Sequence, residues 1–454
     1  MTMWIPDLNA YSGPRHQALL MALQDAIQSG RLPAGARLPP QRRLAELLGL
    51  NLSTVTRAWR EAADRRWIGG ETGRGTYVLG PQLGIGLFVP QDADSVIDLT
   101  VNGPAYPNPD HDLNDSLHRL MQQDGLAACL RYPTALDWQR NQQALVRWLA
   151  WRGIEAEAQQ VLLCGGAQHA LAAALMRHSQ RGDTVLVEAL TYPGMMAIAR
   201  QLGLHLHPLG MDRAGVRPDA LEQALRQGIG HLAVLMPTLH NPTTLTMPLE
   251  RRRALVDVLA RYPAARVIEE DAYGHLLAEP PPALVSLRPQ QVCHVGGLSK
   301  TIAPGLRLGY LLEPTLTEAE LRDMFHHTSW QVTPLMARLA CLWLEDGTAV
   351  RRLRWQQDEL AQRRRLVQAI WGGAQGQQLW LPEGSPHGWL TLPLARDAER
   401  EASRLRQAGV ALTAASAFAA SRQLPVNGLR LCIGAPASRG LLQQALRIVR
   451  GALP

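Results

Sequence analysis

Lys300 lies in the stretch Gly296 to Gly309, G-G-L-S-K-T-I-A-P-G-L-R-L-G, and no other lysine occurs in the chain. Every other strong base is arginine. A guanidinium stays protonated and is no nucleophile, whereas an ammonium can deprotonate and attack a carbonyl. A chain that uses arginine everywhere else and keeps one lysine points to amine chemistry at that lysine. The reading is a Schiff-base lysine for pyridoxal 5′-phosphate (PLP), with Arg307 following to pair its phosphate.

Other polar residues with chemical use each follow a short apolar run. Gly165-Gly166-Ala167-Gln168 comes after Val161–Cys164 and opens a helix, which offers backbone N–H groups to a phosphate. Tyr192 follows Val185–Val187 and presents a ring to stack on a flat cofactor. Asn241 follows Ala233–Met236 with an amide for a phenolate oxygen. Glu270, Asp271 and Tyr273 follow Val267–Ile268, and a carboxylate there pairs with a protonated pyridine nitrogen. Arg430 stands inside the apolar run Gly428 to Ile433. A buried arginine needs a partner, and a substrate carboxylate or a structural acid would serve.

The elements that must position these residues alternate. Val161–Cys164, Val185–Val187, Ala233–Met236, Val267–Ile268 and Val292–Val295 are strand-like, with helical runs such as 168–177 and 250–261 between them. This predicts an α/β fold, a mainly parallel sheet with helices on both faces, over residues 98–454. A smaller α+β subdomain is expected from about residue 330. Ligands in such sheets sit at the carboxyl ends of strands, where the polar residues fall.

The first 79 residues read differently. Helical spacing holds over 15–29, over Gln41 to Leu48, and again from Asn51, with Gly49 at the turn. Val55, Ala58, Trp59 and Ala62 face inward on the third helix, leaving Ser53, Thr54, Thr56 and Arg57 outside. Two short strands around G-G-E-T-G-R-G put Arg74 at a hairpin tip. The pattern is a helix-turn-helix with a wing. Residues 11–79 hold ten arginines and five acids, so much of the chain's net +7 is concentrated there. That clustering suits the phosphates of duplex DNA. Residues 80–97, rich in Gly and Pro, read as a linker.

A length of 454 residues, 46% hydrophobic content and a mean hydropathy of −0.11 describe a globular chain of several domains. Five scattered cysteines without pairing motifs point to reduced thiols in the cytoplasm and to no metal site. No signal pattern or long apolar run suggests a membrane.

Taken in order, R-L-P-P-Q-R-R-L-A-E-L-L-G-L, T-V-T-R-A and G-R-G-T-Y-V resemble the GntR-type winged helix, in which Arg42, Arg57 and Arg74 would touch DNA. The series Gly-Ala-Gln, Tyr, Asn-Pro, acid-x-Tyr, Ser-Lys, Arg and a late Arg resembles the fold-type I PLP aminotransferases. That resemblance implies Ala167, Gln168, Ser299 and Arg307 at the phosphate, Tyr192 on the ring, and Asn241 and Tyr273 at the ring oxygen. It also implies Lys300 as cofactor lysine and proton shuttle, and Arg430 at the substrate carboxylate. Tyr132 would reach the phosphate of a neighbouring subunit. The pyridine partner is Glu270 counting three back from Tyr273, or Asp271 counting two. Departures include Thr244 where relatives have glycine, Gly297 where they have a hydroxyl residue, and Asp137 and Gln142 after Tyr132. The joined chain resembles the MocR-type regulators. This implies a homodimeric, DNA-binding, PLP-dependent regulator that senses an amino acid, an amine or PLP; a working aminotransferase is the alternative. Effector, operator and direction of control are not written in these motifs.

Overall fold

The computed structural model describes residues 4–8, 11, 13–28, 31–32, 36–64, 67–71, 75–78, 96–108, 110–123, 126–372, 379–393, 395–421 and 426–453. The chain divides into two compact units, Met1–Pro90 and Gln91–Pro454. The division falls inside the stretch read as a linker, most of which, like Arg74, lies outside the described residues. No helix among the described residues is long and apolar enough to cross a membrane.

In the first unit, α1 (Arg15–Gln28), α2 (Gln41–Leu48) and α3 (Leu52–Asp64) precede an antiparallel pair, β1 (Ile68–Glu71) and β2 (Gly75–Val78). Leu19, Leu23, Leu44, Val55, Ala58, Trp59 and Ala62 form its buried core. Gly49 ends α2 in the left-handed conformation (φ 62°, ψ 33°), and Leu50 N–H then closes on Ala45 O at 2.9 Å. A side chain at that φ would be strained, so glycine allows the tight reversal into α3.

The second unit is built on a seven-stranded sheet. Its strands are β3 (Val161–Cys164), β4 (Thr184–Glu188), β5 (His205–Leu209), β6 (Leu232–Leu235), β7 (Arg266–Asp271), β8 (Val292–Gly297) and β9 (Gly309–Leu312), in spatial order β3-β9-β8-β7-β6-β4-β5. All pairs are parallel except those of β9, which runs against both neighbours. Alternate residues serve the two faces. Leu163, Leu235 and Val267 pack with α4 (Ala135–Trp151) and α7 (Leu249–Arg261). Leu162, Val234 and Ile268 pack with α5 (Ala167–His178) and α6 (Pro193–Leu202). Strands β5 and β9 were not among the sequence expectations. His205-Leu-His-Pro carries too little apolar signal, and β9 starts at Gly309, the last residue of the run read for its cofactor motif.

Toward the C-terminus a second sheet, β10 (Leu379–Trp380), β11 (His387–Thr391), β12 (Thr413–Ala414) and β13 (Gly428–Cys432), runs in the order β10-β11-β13-β12 and is wholly antiparallel. It carries Arg430 on β13.

Candidate cofactor and effector site

Lys300 sits in the hairpin between β8 and β9. Leu298 N–H closes that hairpin on Leu308 O at 3.0 Å. Its amine donates to the backbone carbonyl of Asn102. Burial draws the Lys300 ammonium down to about 8, and the charges of Arg430 and Arg307 push the same way. An amine so placed is partly neutral near physiological pH, the state a nucleophile needs.

The two candidate acids part company on β7. Glu270 is buried, its Oε2 has no hydrogen-bond partner, and the charges that act on it are those of Glu188, Lys300 and Asp271. Burial, then Glu188, raise its carboxyl to about 8. Asp271 points to the other face, where Arg152 Nε donates to it at 2.6 Å with both side chains 1% exposed. It also accepts Gly274 N–H at 2.7 Å. Burial alone would raise Asp271; Arg152 outweighs it and holds the carboxyl well below its usual range. Arg152 was not singled out in the sequence, because an arginine at a helix end before glycine reads as a solvated cap.

Around the amine stand the other candidates. Tyr273 is buried, and its hydroxyl accepts from Asn102 Nδ2 at 2.8 Å. Asn241 precedes a cis proline, and its Oδ1 accepts from Arg430 Nη1 at 2.9 Å. Arg430 Nη2 donates to Thr100 O at 2.6 Å, its Nε is buried without a partner, and its guanidinium lies 4.8 Å over the Phe418 ring. Among the described residues no carboxylate pairs with it, so the structural ion pair that would explain a buried arginine is not seen there. His387 packs beside Tyr273, and its ring meets Asn102 Nδ2 at 3.3 Å. Asn102, Glu188 and His387 escaped the sequence reading, since V-N-G-P reads as a plain turn and single buried polar residues carry no spacing signal.

A second group lies at the start of α5. Gly166 has φ 95°, and a Cβ there would stand 3.1 Å from Arg307 Nη2. The Arg307 guanidinium is therefore held against the N-terminus of α5, whose free N–H groups favour an anion. Ala167 opens the helix; Gly309 and Gly297 let it approach, for Cβ atoms there would lie 2.4 Å from Ala167 N and 3.3 Å from Ala167 Cβ. Gly297 thus makes room for α5 where a hydroxyl residue was expected. Gln168 Nε2 donates to Gly194 O at 3.0 Å, and the Tyr192 ring lies across Gly194. Charges of Glu270, Arg430 and Arg307 all act on Tyr192. Ser299 is half-buried beside Lys300. Tyr132 is 74% exposed and stands 6.3 Å from the Trp330 ring, away from this cluster's contacts.

The model of the family "Aminotransferase class I and II" matches residues 94–449. The chain belongs to that family. The model "Bacterial regulatory proteins, gntR family" matches residues 16–78 in front of it. A GntR-family unit joined to an aminotransferase-class unit is the arrangement of the MocR-type regulators. The chain is 30% identical to the uncharacterized HTH-type transcriptional regulator YdeF of Bacillus subtilis, over 98% of this chain and 96% of that one. It is 28% identical to the vitamin B6 salvage pathway transcriptional repressor PtsJ of Salmonella typhimurium, over 91% and 92%. Among solved structures, Pyrococcus horikoshii kynurenine aminotransferase superposes with a TM-score of 0.71 at 24% identity, covering 80% of this chain and 91% of that one. This last likeness shows the aminotransferase fold.

On the GntR-family unit, Arg42, Ser53 and Arg57 are exposed and Thr54 is half-buried. Thr56 turns its hydroxyl to Gln41 Oε1 at 2.8 Å and braces α3 against α2.

Proposed function

We propose that this protein is a transcription regulator that reads duplex DNA through its GntR-family unit, holds PLP on Lys300, and senses an amino acid or amine there. The observation that carries the reading is the surroundings of Lys300. A sole lysine, lowered to about 8, shares its site with the unpartnered Glu270 Oε2 and with Arg430, which pairs with no acid among the described residues.

These residues fit PLP. The N-terminus of α5 with Ala167, Gln168, Ser299 and Arg307 suits the phosphate; Tyr192 suits the ring face; Asn241 and Tyr273 suit the ring oxygen. Glu270 suits the pyridine nitrogen better than Asp271, because the Glu270 oxygen is uncommitted while Asp271 is spent on Arg152. A cation beside Glu270 would bring its pKa down and ionise it. When bound, PLP supplies an electron sink. Lys300 Nζ would carry the covalent link and pass a proton, and Arg430 would grip a carboxylate through Nε and Nη2.

Arg42, Ser53, Thr54, Arg57 and Arg74 are assigned to DNA, with Thr56 as their brace. A homodimer is part of the reading: Tyr132 would reach the partner's phosphate, and exposed Leu130, Leu136 and Trp330 supply an apolar surface beside it. Free cysteines suit the reducing cytoplasm.

The test is the visible absorbance of lysine-bound PLP in the purified full chain. The expected result is a band that Lys300→Ala abolishes without unfolding, and that shifts on titration with some amino acids. An unchanged spectrum in Lys300→Ala overturns the assignment. A complete Lys300, Glu270 and Arg430 set also favours a second reading, a working aminotransferase. Sustained conversion of 2-oxo acids by the full chain would establish it.

A further inference from the structure

The chain enters its second unit along a stretch that the site itself holds. Ile97–Asp98 pairs in parallel with Val410–Ala411. Leu99 N–H donates to Ala411 O at 3.0 Å, and Leu99 O accepts from Cys432 N–H at 2.8 Å. Of the next three carbonyls, Val101 O takes Gly103 N–H at 3.0 Å and the other two are held by side chains. Thr100 O takes Arg430 Nη2 at 2.6 Å, and Asn102 O takes the Lys300 amine. In sequence, this stretch follows directly on the linker from the GntR-family unit.

We propose that residues 97–103 form a strap whose hold is set by occupancy of the site, and that its release relays ligand binding to the DNA-reading unit. The proposal rests on the assignment of Lys300 to PLP and of Arg430 to a carboxylate. Ligand and strap draw on the same donors. When Lys300 condenses with an aldehyde, one C=N bond forms, the carbonyl oxygen leaves as water, and Nζ keeps at most one N–H. With three N–H donors reduced to one at most, the hold of Nζ on Asn102 O would weaken. A carboxylate on Arg430 takes up Nη2, the donor now on Thr100 O. Both carbonyls belong to half-buried residues, and Thr100 O would keep only the weak Cys432 Sγ contact at 3.7 Å, so loss of the strong donor leaves the backbone poorly satisfied and favours its movement toward another. PLP therefore acts on the strap at Asn102 and a carboxylate at Thr100, so one stretch of backbone registers two inputs.

Asp98 offers a handle outside the site. Its Oδ1 accepts from Thr100 N–H at 2.7 Å and from Thr100 Oγ1 at 2.6 Å, closing the turn that starts the strap.

The experiment follows amide exchange of residues 97–104 by mass spectrometry in the full chain. It is run without ligand, with PLP alone, and with PLP plus a mixture of L-amino acids, with loading verified by visible absorbance. Operator affinity is measured on duplexes selected from a random library with ligand-free protein. Exchange of the strap is expected to quicken on loading, with operator affinity changing by roughly 5–150-fold, the range of allosteric couplings. Asp98→Ala should loosen the strap without ligand and move operator affinity in the same direction; Thr100→Val serves if that variant does not fold. Unchanged exchange on verified loading overturns the strap. So does faster exchange in Asp98→Ala with unaltered operator affinity. A wild-type chain that never binds PLP would overturn the cofactor assignment and with it the ligand control of the strap, while the Asp98→Ala arm would still decide whether the strap is coupled to operator affinity.

Discussion

Glu270 and Asp271 are neighbours on one strand and face opposite sides of the sheet, one toward Lys300 and one toward Arg152. Strand alternation alone separates them. Their environments push their acidities apart, upward to about 8 for Glu270 and well down for Asp271. The two carboxyls therefore answer differently to amide substitution. Asp271→Asn leaves the Arg152 guanidinium buried without its acid and should destabilise the fold by about 3–5 kcal/mol in denaturant melts, the range for a broken buried pair. Glu270→Gln should keep the fold and weaken PLP retention, measured by dialysis and absorbance.

The same contrast predicts opposite pH slopes in the ligand-free protein. Glu270 is raised from 4.5 to about 8, so the folded state binds the extra proton between those values. Its contribution is full below pH 4.5 and is lost as pH rises through about 8. Asp271 is depressed, so its contribution is present above its ordinary value of 3.8 and is lost as pH falls further. Melting temperatures from pH 5 to 9 should decline less steeply in Glu270→Gln than in wild type, and equal slopes would refute the Glu270 assignment.

Reductive labelling with a small aldehyde provides a direct reading of Lys300, since the chain has no other side-chain amine. Incorporation at Lys300, resolved by peptide mapping, should rise with pH through about 8, whereas an exposed lysine would titrate near 10.5. Saturating PLP should block it.

Thr244 carries φ 63°, is fully buried, and leaves its hydroxyl without a hydrogen-bond partner. A β-branched residue is strained there. Thr244→Gly, which installs the residue suited to a left-handed φ, should stabilise the protein by about 1 kcal/mol, or leave it unchanged if the lost packing offsets the gain. A loss above that size in thermal melts would show that the side chain is needed.

Arg57 is exposed on α3. Arg57→Ala should weaken binding to selected duplexes and, if the contact is to phosphate, reduce the salt slope by about 1. Unaltered affinity at low and moderate salt would remove α3 from the interface.

Much of this was legible in the residues before any coordinates. Lys300 stood out through composition, and Arg430 because an arginine in an apolar strand needs an explanation. The choice between Glu270 and Asp271 was not legible, since counting residues back from Tyr273 cannot tell which face of β7 each occupies. Arg152, at a helix end more than a hundred residues earlier, is what engages Asp271 and leaves Glu270 Oε2 without a partner. Asn102 stayed hidden for a related reason: its backbone carbonyl, which any residue has, is what Lys300 holds. The Thr244 departure shows in sequence only as a changed residue; in the fold it is a side chain tolerated at a left-handed position.

Because β9 runs antiparallel to β8, Lys300 and Arg307 hang from a single hairpin closed between Leu298 and Leu308. The separation between the proposed covalent anchor and the proposed phosphate clamp is then a local length, independent of how distant segments settle. A residue inserted or removed between them would put the proposed cofactor anchorage out of gauge while leaving both side chains intact, so this short loop has little tolerance for change in length.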